Sequence, residues 1–229
     1  MKLRPRFLAW PGWPLLCEAI VLGTAQVLWW VFVYFGADWV TGLRSDRIRV
    51  HLASELKVPL IPEFLLVYLS LDLLFLIAPF VLRTRAEIRA LTFALFGVTS
   101  VAGVCFLVLP AELAYPAAGV EGFWSDLFAL NRQIVLRYNL IPSLHVALST
   151  ATLAAYGTCR GAWGRILLAV WGGLIGLSTL LTHQHHVVDV VTGLLLGWAG
   201  YQLLYRRWLA AAAGRSVQAS PSSDRELMA

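Results

Sequence analysis

The sequence predicts an all-α integral membrane protein with six transmembrane helices and a short interfacial helix between the first and the second. Three observations predict it. Of the 229 residues, 59% are hydrophobic and only 14% are charged, whereas a soluble domain carries about 25% charged residues. The mean hydropathy is +0.72. The 18 Lys and Arg residues sit in short clusters between long apolar runs. This pattern excludes a soluble globular enzyme, a disordered chain and a nucleic-acid-binding domain. It assigns the net charge of +5 to basic cytoplasmic loops.

A bilayer core is crossed by about 20 apolar residues in a helix. The first such run covers residues 15–35. Lys2, Arg4 and Arg6 precede it, but it is too long for a signal peptide and lacks a small-residue cleavage site, so an uncleaved first helix is expected. Residues 37–61 mix Arg44, Asp46, Arg47, Arg49, Glu55 and Lys57 with Leu43, Ile48, Val50, Leu52 and Leu56. That mixture predicts the amphipathic helix at the membrane surface. The second span covers 63–82 and contains a lone Asp72, read as a helix–helix hydrogen-bond partner of a Ser, Thr or Tyr. The third covers 88–109 and stops before Pro110. Residues 111–140 read as a long outer loop of the kind that often carries function.

The fourth span covers 142–159 and opens on Pro142, a residue suited to a first helical turn. The fifth covers 164–181 and the sixth 186–205. Residues 1–209 thus form one membrane domain. Residues 210–229, rich in Ala, Ser and charge, read as a disordered cytoplasmic tail. Cys17, Cys105 and Cys159 have no metal-ligand spacing and read as apolar packing residues.

With the N-terminus inside, twelve Lys and Arg residues fall on the cytoplasmic side. Six (Arg44, Arg47, Arg49, Lys57, Arg132 and Arg137) fall on the other. Both termini are therefore expected in the cytoplasm. The simple topology without targeting elements points to a bacterial inner membrane.

Two polar clusters then fall at the outer ends of their helices. One is Asn139, Leu140, Ile141, Pro142, Ser143, Leu144 and His145; the other runs from Thr182 through His183, Gln184, His185 and His186 to Asp189. His185 and Asp189, four apart, share a helix face. A carboxylate there holds one imidazole nitrogen and leaves the other as a nucleophile. An ionisable residue within an apolar helix marks function by default. Ser143, beside Pro142, can offer a hydroxyl and free N–H groups to an anion, and His145 lies in the same turn. Together the clusters suit phosphoryl transfer, with one histidine attacking and the other protonating the leaving oxygen. Ala147, Ala151 and Ala154 on the fourth helix, and Gly193 and Gly197 on the sixth, have the small-residue spacing that lets membrane helices approach closely.

Other readings fit less well. The spacing of His183, His185 and His186 matches no standard metal site, so no metal is assigned; His183 and His186 are read as interfacial polar residues. A transporter or lipid-binding protein would place its polar residues near the midplane, not at one end. An intramembrane serine protease would need a facing Ser–His dyad, and Ser143 and His145 are too close on one helix to face each other.

Pro142, Ser143 and His145, with His185, Asp189 and Gly193, resemble the second and third signature motifs of the type 2 phosphatidic acid phosphatase superfamily. The wording from Tyr138 to Ala147, the run from Gln184 to Asp189, and Val58, Pro59, Leu60, Ile61 and Pro62 before Tyr68 are similar to its inositol phosphorylceramide synthase-like branch. The match covers about residues 139–197, and the catalytic core is expected at about 137–200. The resemblance implies a membrane lipid phosphatase or phosphotransferase acting at the outer face. It would take a lipid phosphate as substrate, need no cofactor and use no metal. His185 would be the nucleophile that forms a phosphohistidine, Asp189 would orient it, and His145 would be the general acid. Ser143 and Asn139 would bind substrate. The superfamily's first motif, a Lys followed at a distance by Arg-Pro, is not visible. Ser178 and Thr179 stand where the third motif usually reads Ser-Arg. Two phosphate-binding cations are thus missing, and Arg137, followed by Arg132, is the expected replacement.

Overall fold

The computed structural model describes residues 8–115, 119–134, 138–158 and 160–218. Lys2, Arg4, Arg6, Arg137 and Arg225 of the charge count, and Cys159, lie outside them. Eight α-helices follow in order: α1 (Trp13–Gly42), α2 (Phe64–Val81), α3 (Arg85–Val108), α4 (Phe123–Ile134), α5 (Leu144–Gly157), α6 (Ala162–Leu181), α7 (Val187–Gly200) and α8 (Arg206–Gln218). A π-helical turn, Tyr201–Tyr205, joins α7 to α8. Among the described residues there is no strand beyond one parallel bridge, Ile48 to Ala111.

Five helices are long and apolar enough to cross a membrane: α1, α2, α3, α6, and the run Val187–Arg215 that unites α7 with most of α8. The span predicted over 142–159 is shorter. α5 has 14 residues, about 21 Å at 1.5 Å per residue, against a hydrocarbon core of about 30 Å. It lies inside the bundle among α2, α3, α6 and α7, and ten of its 14 residues are buried. α1 is the opposite case. Its apolar side chains, such as Val21, Leu28, Phe32 and Trp39, are mostly exposed, as a lipid-facing helix requires.

Local chemistry explains the ends of α3. Thr84 caps its N-terminus: the Glu87 N–H donates to the Thr84 hydroxyl at 3.1 Å, and the Thr84 N–H donates to the Glu87 carboxylate at 2.9 Å. This is a reciprocal capping box. Glu18 of α1 pairs with Arg85 at 3.1 Å and with Arg89, tying the two helices together at that end. Near the opposite end the Thr41 hydroxyl donates to the Phe106 carbonyl.

Three segments differ from expectation. Residues 43–63 hold no surface helix, only a single 3₁₀ turn, Glu55–Lys57. The chain there is extended because Ile48 exchanges backbone hydrogen bonds with Pro110 (2.9 Å) and Glu112 (3.3 Å). The expected outer loop contains α4. Its Trp124, Leu127, Phe128 and Asn131 repeat at helical spacing, and Phe128 packs on Leu65 and Tyr68 of α2. The expected tail continues α8 to Gln218, because four consecutive alanines from Ala210 favour helix; residues 219–229 lie outside the described ones.

The tightest contact joins α5 and α7. A Cβ at Gly193 would come within 2.6 Å of the Ser143 carbonyl oxygen, and one at Gly197 would collide with the Ala147 carbonyl and the Thr150 side chain. The backbones therefore touch where the small-residue spacing predicts. Gly36 on α1 has open space around it. Gly197→Ala should lower the melting temperature of the detergent-solubilised protein by about 5 °C or more. Gly36→Ala should leave it unchanged or slightly raised. Equal melting curves for the two variants would refute backbone contact as the reason for Gly197.

Candidate active site

The two sequence clusters meet across the α5–α7 contact. The Ser143 N–H donates to the Asp189 carbonyl at 2.9 Å, so the start of α5 is bonded directly to the first turn of α7. Ser143 is also the N-cap of α5, its hydroxyl accepting from the Val146 N–H at 3.4 Å. It is fully buried. Its N–H is committed to Asp189, and Ser143 is not among the residues that line the cavity holding His145 and His185.

The turn between α6 and α7 delivers His185. His183 holds φ at +56°, a left-handed value that reverses the chain. The N–H groups of Gln184 and His185 then both donate to the Thr179 carbonyl, at 2.9 and 3.1 Å. The Thr179 side chain is fully buried and donates back to Gly176 at 2.8 Å; Ser178 does the same to Ile175 at 2.6 Å. The two positions thus anchor the turn and offer nothing to an anion.

Asp189 is fully buried in the first turn of α7. Its Oδ2 accepts the His186 N–H at 2.8 Å and lies 3.4 Å from His185 Nδ1. That separation exceeds a normal N–H···O distance. Both His185 Nδ1 and Asp189 Oδ1 are buried without a hydrogen-bond partner. Catalytic hydrogen bonds are often this long before substrate arrives. Pairing through Nδ1 leaves Nε2 of His185 as its reactive nitrogen.

His145 is held from the other side. Its Nε2–H donates to the Tyr68 carbonyl at 2.6 Å, and its ring stacks on the Tyr68 ring with centroids 3.8 Å apart. Nδ1 is therefore the nitrogen free to exchange a proton. The sequence marks Tyr68 only as the residue beyond the run over 58–62 and gives it no role at the site. Its ring is one more aromatic among many in the sequence, and the carbonyl that holds Nε2 is one that any residue would supply.

His145, His185 and Asn139 all line one cavity of about 710 Å³, which continues between α1, α2 and α3 along mostly apolar walls. Asn139 is buried. Its amide donates to the Tyr34 carbonyl at 2.6 Å and its Oδ1 has no partner. Arg137 lies outside the described residues, as does the side chain of Arg132. A guanidinium that the structure does place against the second motif is Arg47, 4.2 Å over the Tyr138 ring.

His186 and Glu55 correct the expectation of an interfacial His186. His186 is fully buried. Its Nε2 accepts the Ala114 N–H at 3.2 Å, so its Nδ1–H donates to Glu55 at 3.1 Å. The same Glu55 oxygen accepts the Val187 N–H at 3.1 Å, which places a carboxylate at the N-terminus of α7 where the helix dipole favours it. Tyr115 stacks on both His183 (4.1 Å) and His186 (4.7 Å). Burial, helped by the charges of Glu55 and Asp189, pushes the Tyr115 phenol up to about 12. Among the described residues no three His, Cys, Asp or Glu side chains are grouped to hold a metal ion.

Asp72 also departs from its expected role. Among the described residues its carboxyl has no hydrogen-bond or ion-pair partner, and it lines the cavity instead. The site residues from Asn139 to Asp189, with Tyr68 and most of the bundle that holds them, fall within residues 57–203, which match the PAP2 superfamily. That stretch covers more than half of the chain, and this membrane protein belongs to the type 2 phosphatidic acid phosphatase (PAP2) superfamily.

Proposed function

We propose that the protein cleaves a lipid phosphate ester through a phosphohistidine on His185 and passes the phosphoryl group to water or to a lipid alcohol. The observation that carries this reading is the convergence of His185 and His145 on one end of an apolar cavity, with Asp189 behind His185. Superfamily membership supports phosphatase or phosphotransferase chemistry. An apolar cavity that ends in two imidazoles suits a molecule with a hydrocarbon tail and a phosphate head.

The steps follow from the nitrogens. His185 Nε2 attacks phosphorus while Asp189 accepts the Nδ1–H and stabilises the developing imidazolium. The P–O bond to the lipid breaks, and His145 Nδ1 gives its proton to the leaving oxygen. Neutral His145 then takes a proton from water or from an acceptor alcohol. The resulting oxygen attacks phosphorus, the N–P bond breaks, and His185 returns to its neutral form. The Ser143 hydroxyl and Arg137 stabilise the phosphoryl oxygens in this scheme. The nucleophile is the imidazole itself, so the scheme needs no metal.

The Lys and Arg asymmetry supports a topology with both termini in the cytoplasm and the site on the periplasmic or extracellular side of a bacterial inner membrane. In this topology α5, with its flanking residues, completes six crossings. The wording around Tyr138 to Ala147 favours the inositol phosphorylceramide synthase-like branch, and with it transfer to a lipid alcohol.

Purified protein incubated with a panel of lipid phosphates and EDTA should release phosphate. His185→Ala should reduce release by about 10³-fold or more. Equal release from both proteins would sink His185 as nucleophile. If transfer dominates, added diacylglycerol or ceramide should yield a new phospholipid instead of free phosphate. His145→Ala should slow turnover of an alkyl phosphate by about 10²–10⁴-fold. An aryl phosphate, whose leaving group needs no proton, should lose far less. The same loss on both substrates would remove His145 from the general-acid role.

A further inference from the structure

Two hydrogen-bond acceptors on the cavity wall have no partner, and neither takes part in the phosphoryl chemistry. One is Asp72 of α2. It lies one helical turn beyond Tyr68, whose carbonyl and ring hold His145. At 1.5 Å per residue the carboxyl is about 6 Å deeper than the reaction level. The other is Gln26 of α1. Its Nε2–H donates to the Thr99 hydroxyl of α3 at 3.1 Å, and its Oε1 is buried without a partner. Asp72 is eight residues inside the end of α2, and Thr99 is nine inside the corresponding end of α3. Both groups therefore sit about 12–14 Å in. The cavity between them is lined by both residues and by His145 and His185.

An unpaired carboxyl within an apolar span is expensive, and so is a buried amide oxygen without a donor. A helix–helix bond would remove the cost, but the structure provides none to Asp72. The Asp72 carboxyl is open to the cavity and lacks a hydrogen-bond donor from whatever fills it; Gln26 Oε1 is closed off beside Thr99 and meets such a donor when its amide turns toward the cavity. A lipid with its phosphorus at His185 places its backbone about four bonds lower, at the level of Asp72. A backbone with two ester groups presents only carbonyl acceptors there. One with a free hydroxyl or an amide N–H presents donors.

We propose that Asp72 and Gln26 form a recognition point for the lipid backbone, selecting lipid phosphates that carry a hydroxyl or amide N–H donor below the phosphoester. This rests on the phosphoryl-transfer reading for the identity of the ligand, but not for its binding. Asp72 and Gln26 set specificity and touch no reacting atom.

The test compares ceramide 1-phosphate, which carries both donors, with phosphatidic acid of matched chain length, which carries neither. The proteins are the full chain and its Asp72→Leu, Gln26→Leu and Asp72→Asn variants. Asp72→Leu should raise KM for ceramide 1-phosphate by about tenfold, the loss of one hydrogen bond to a charged group. It should leave kcat within about twofold and change phosphatidic acid by less than about twofold. Unchanged handling of phosphatidic acid also shows that the variant is folded. Asp72→Asn, which keeps an acceptor oxygen, should retain most of the preference. Gln26→Leu should shift KM in the same direction as Asp72→Leu. An equal change on both lipids, or none on either, would overturn the proposal. Binding of the two lipids to His185→Ala protein separates the readings. If no variant turns over any lipid phosphate yet Asp72→Leu still abolishes the binding preference, the recognition point stands and the phosphoryl-transfer reading falls. Without any binding preference in His185→Ala protein, the recognition point falls whatever the activity.

Discussion

The backbone contact between α5 and α7 is the constraint on which the rest depends. Gly193 and Gly197 leave no side chain between the helices, so the N-terminal turns of both come within hydrogen-bond reach. The single bond from the Ser143 N–H to the Asp189 carbonyl then joins the two polar clusters. His145 and His185 are 40 positions apart in the chain. Their placement on one cavity follows from this register between two helices, not from local sequence. In a membrane, where apolar contact with lipid competes equally with apolar contact between helices, close van der Waals packing of small residues is what holds such a register.

Around that contact, buried polar groups are satisfied by segments that a hydropathy profile assigns to the surface. Glu55 is 5% exposed. It takes the His186 imidazole, the Val187 N–H and, through its second oxygen, the Leu52 N–H. A carboxylate leaves water only with such a set of donors. The N-terminus of α7, with orphan N–H groups and a partial positive charge, supplies part of it. This explains why Glu55 turns inward from a segment that otherwise stays at the surface and is extended instead of helical. It also explains why His186, one residue from His185, has a different fate. His185 lines the cavity, while both nitrogens of His186 are used to hold the loops above α7.

α4 shows a similar dependence. Its stripe of Trp124, Leu127, Phe128 and Asn131 was legible in principle, but the surrounding aromatics and acids read as loop. Its packing on Leu65 and Tyr68 stiffens the part of α2 that holds His145. Tyr68 contributes through its carbonyl and its ring face, and Thr179 through its carbonyl. Backbone oxygens leave no mark on a sequence, so these carbonyl supports of both histidines were invisible, while the histidines and Asp189 were plain.

By itself the sequence determined the membrane class, the five long apolar helices as separate apolar runs, the polar clusters and the small-residue spacing that brings them together. These are local properties: an apolar run of about 20 residues has few alternatives in water or lipid, and a histidine four residues before an aspartate shares its face in any helix. The tertiary structure decided what depends on partners far away in the chain. It shortened α5 and buried it among its neighbours. It set which nitrogen of His145 is tied and which is free, turned Glu55 inward, and left Asp72 facing a cavity rather than a helix. Each of these outcomes is a choice among partners for a polar group. The free energy of a buried polar group is set by what lies within about 3 Å of it, which only the folded chain specifies.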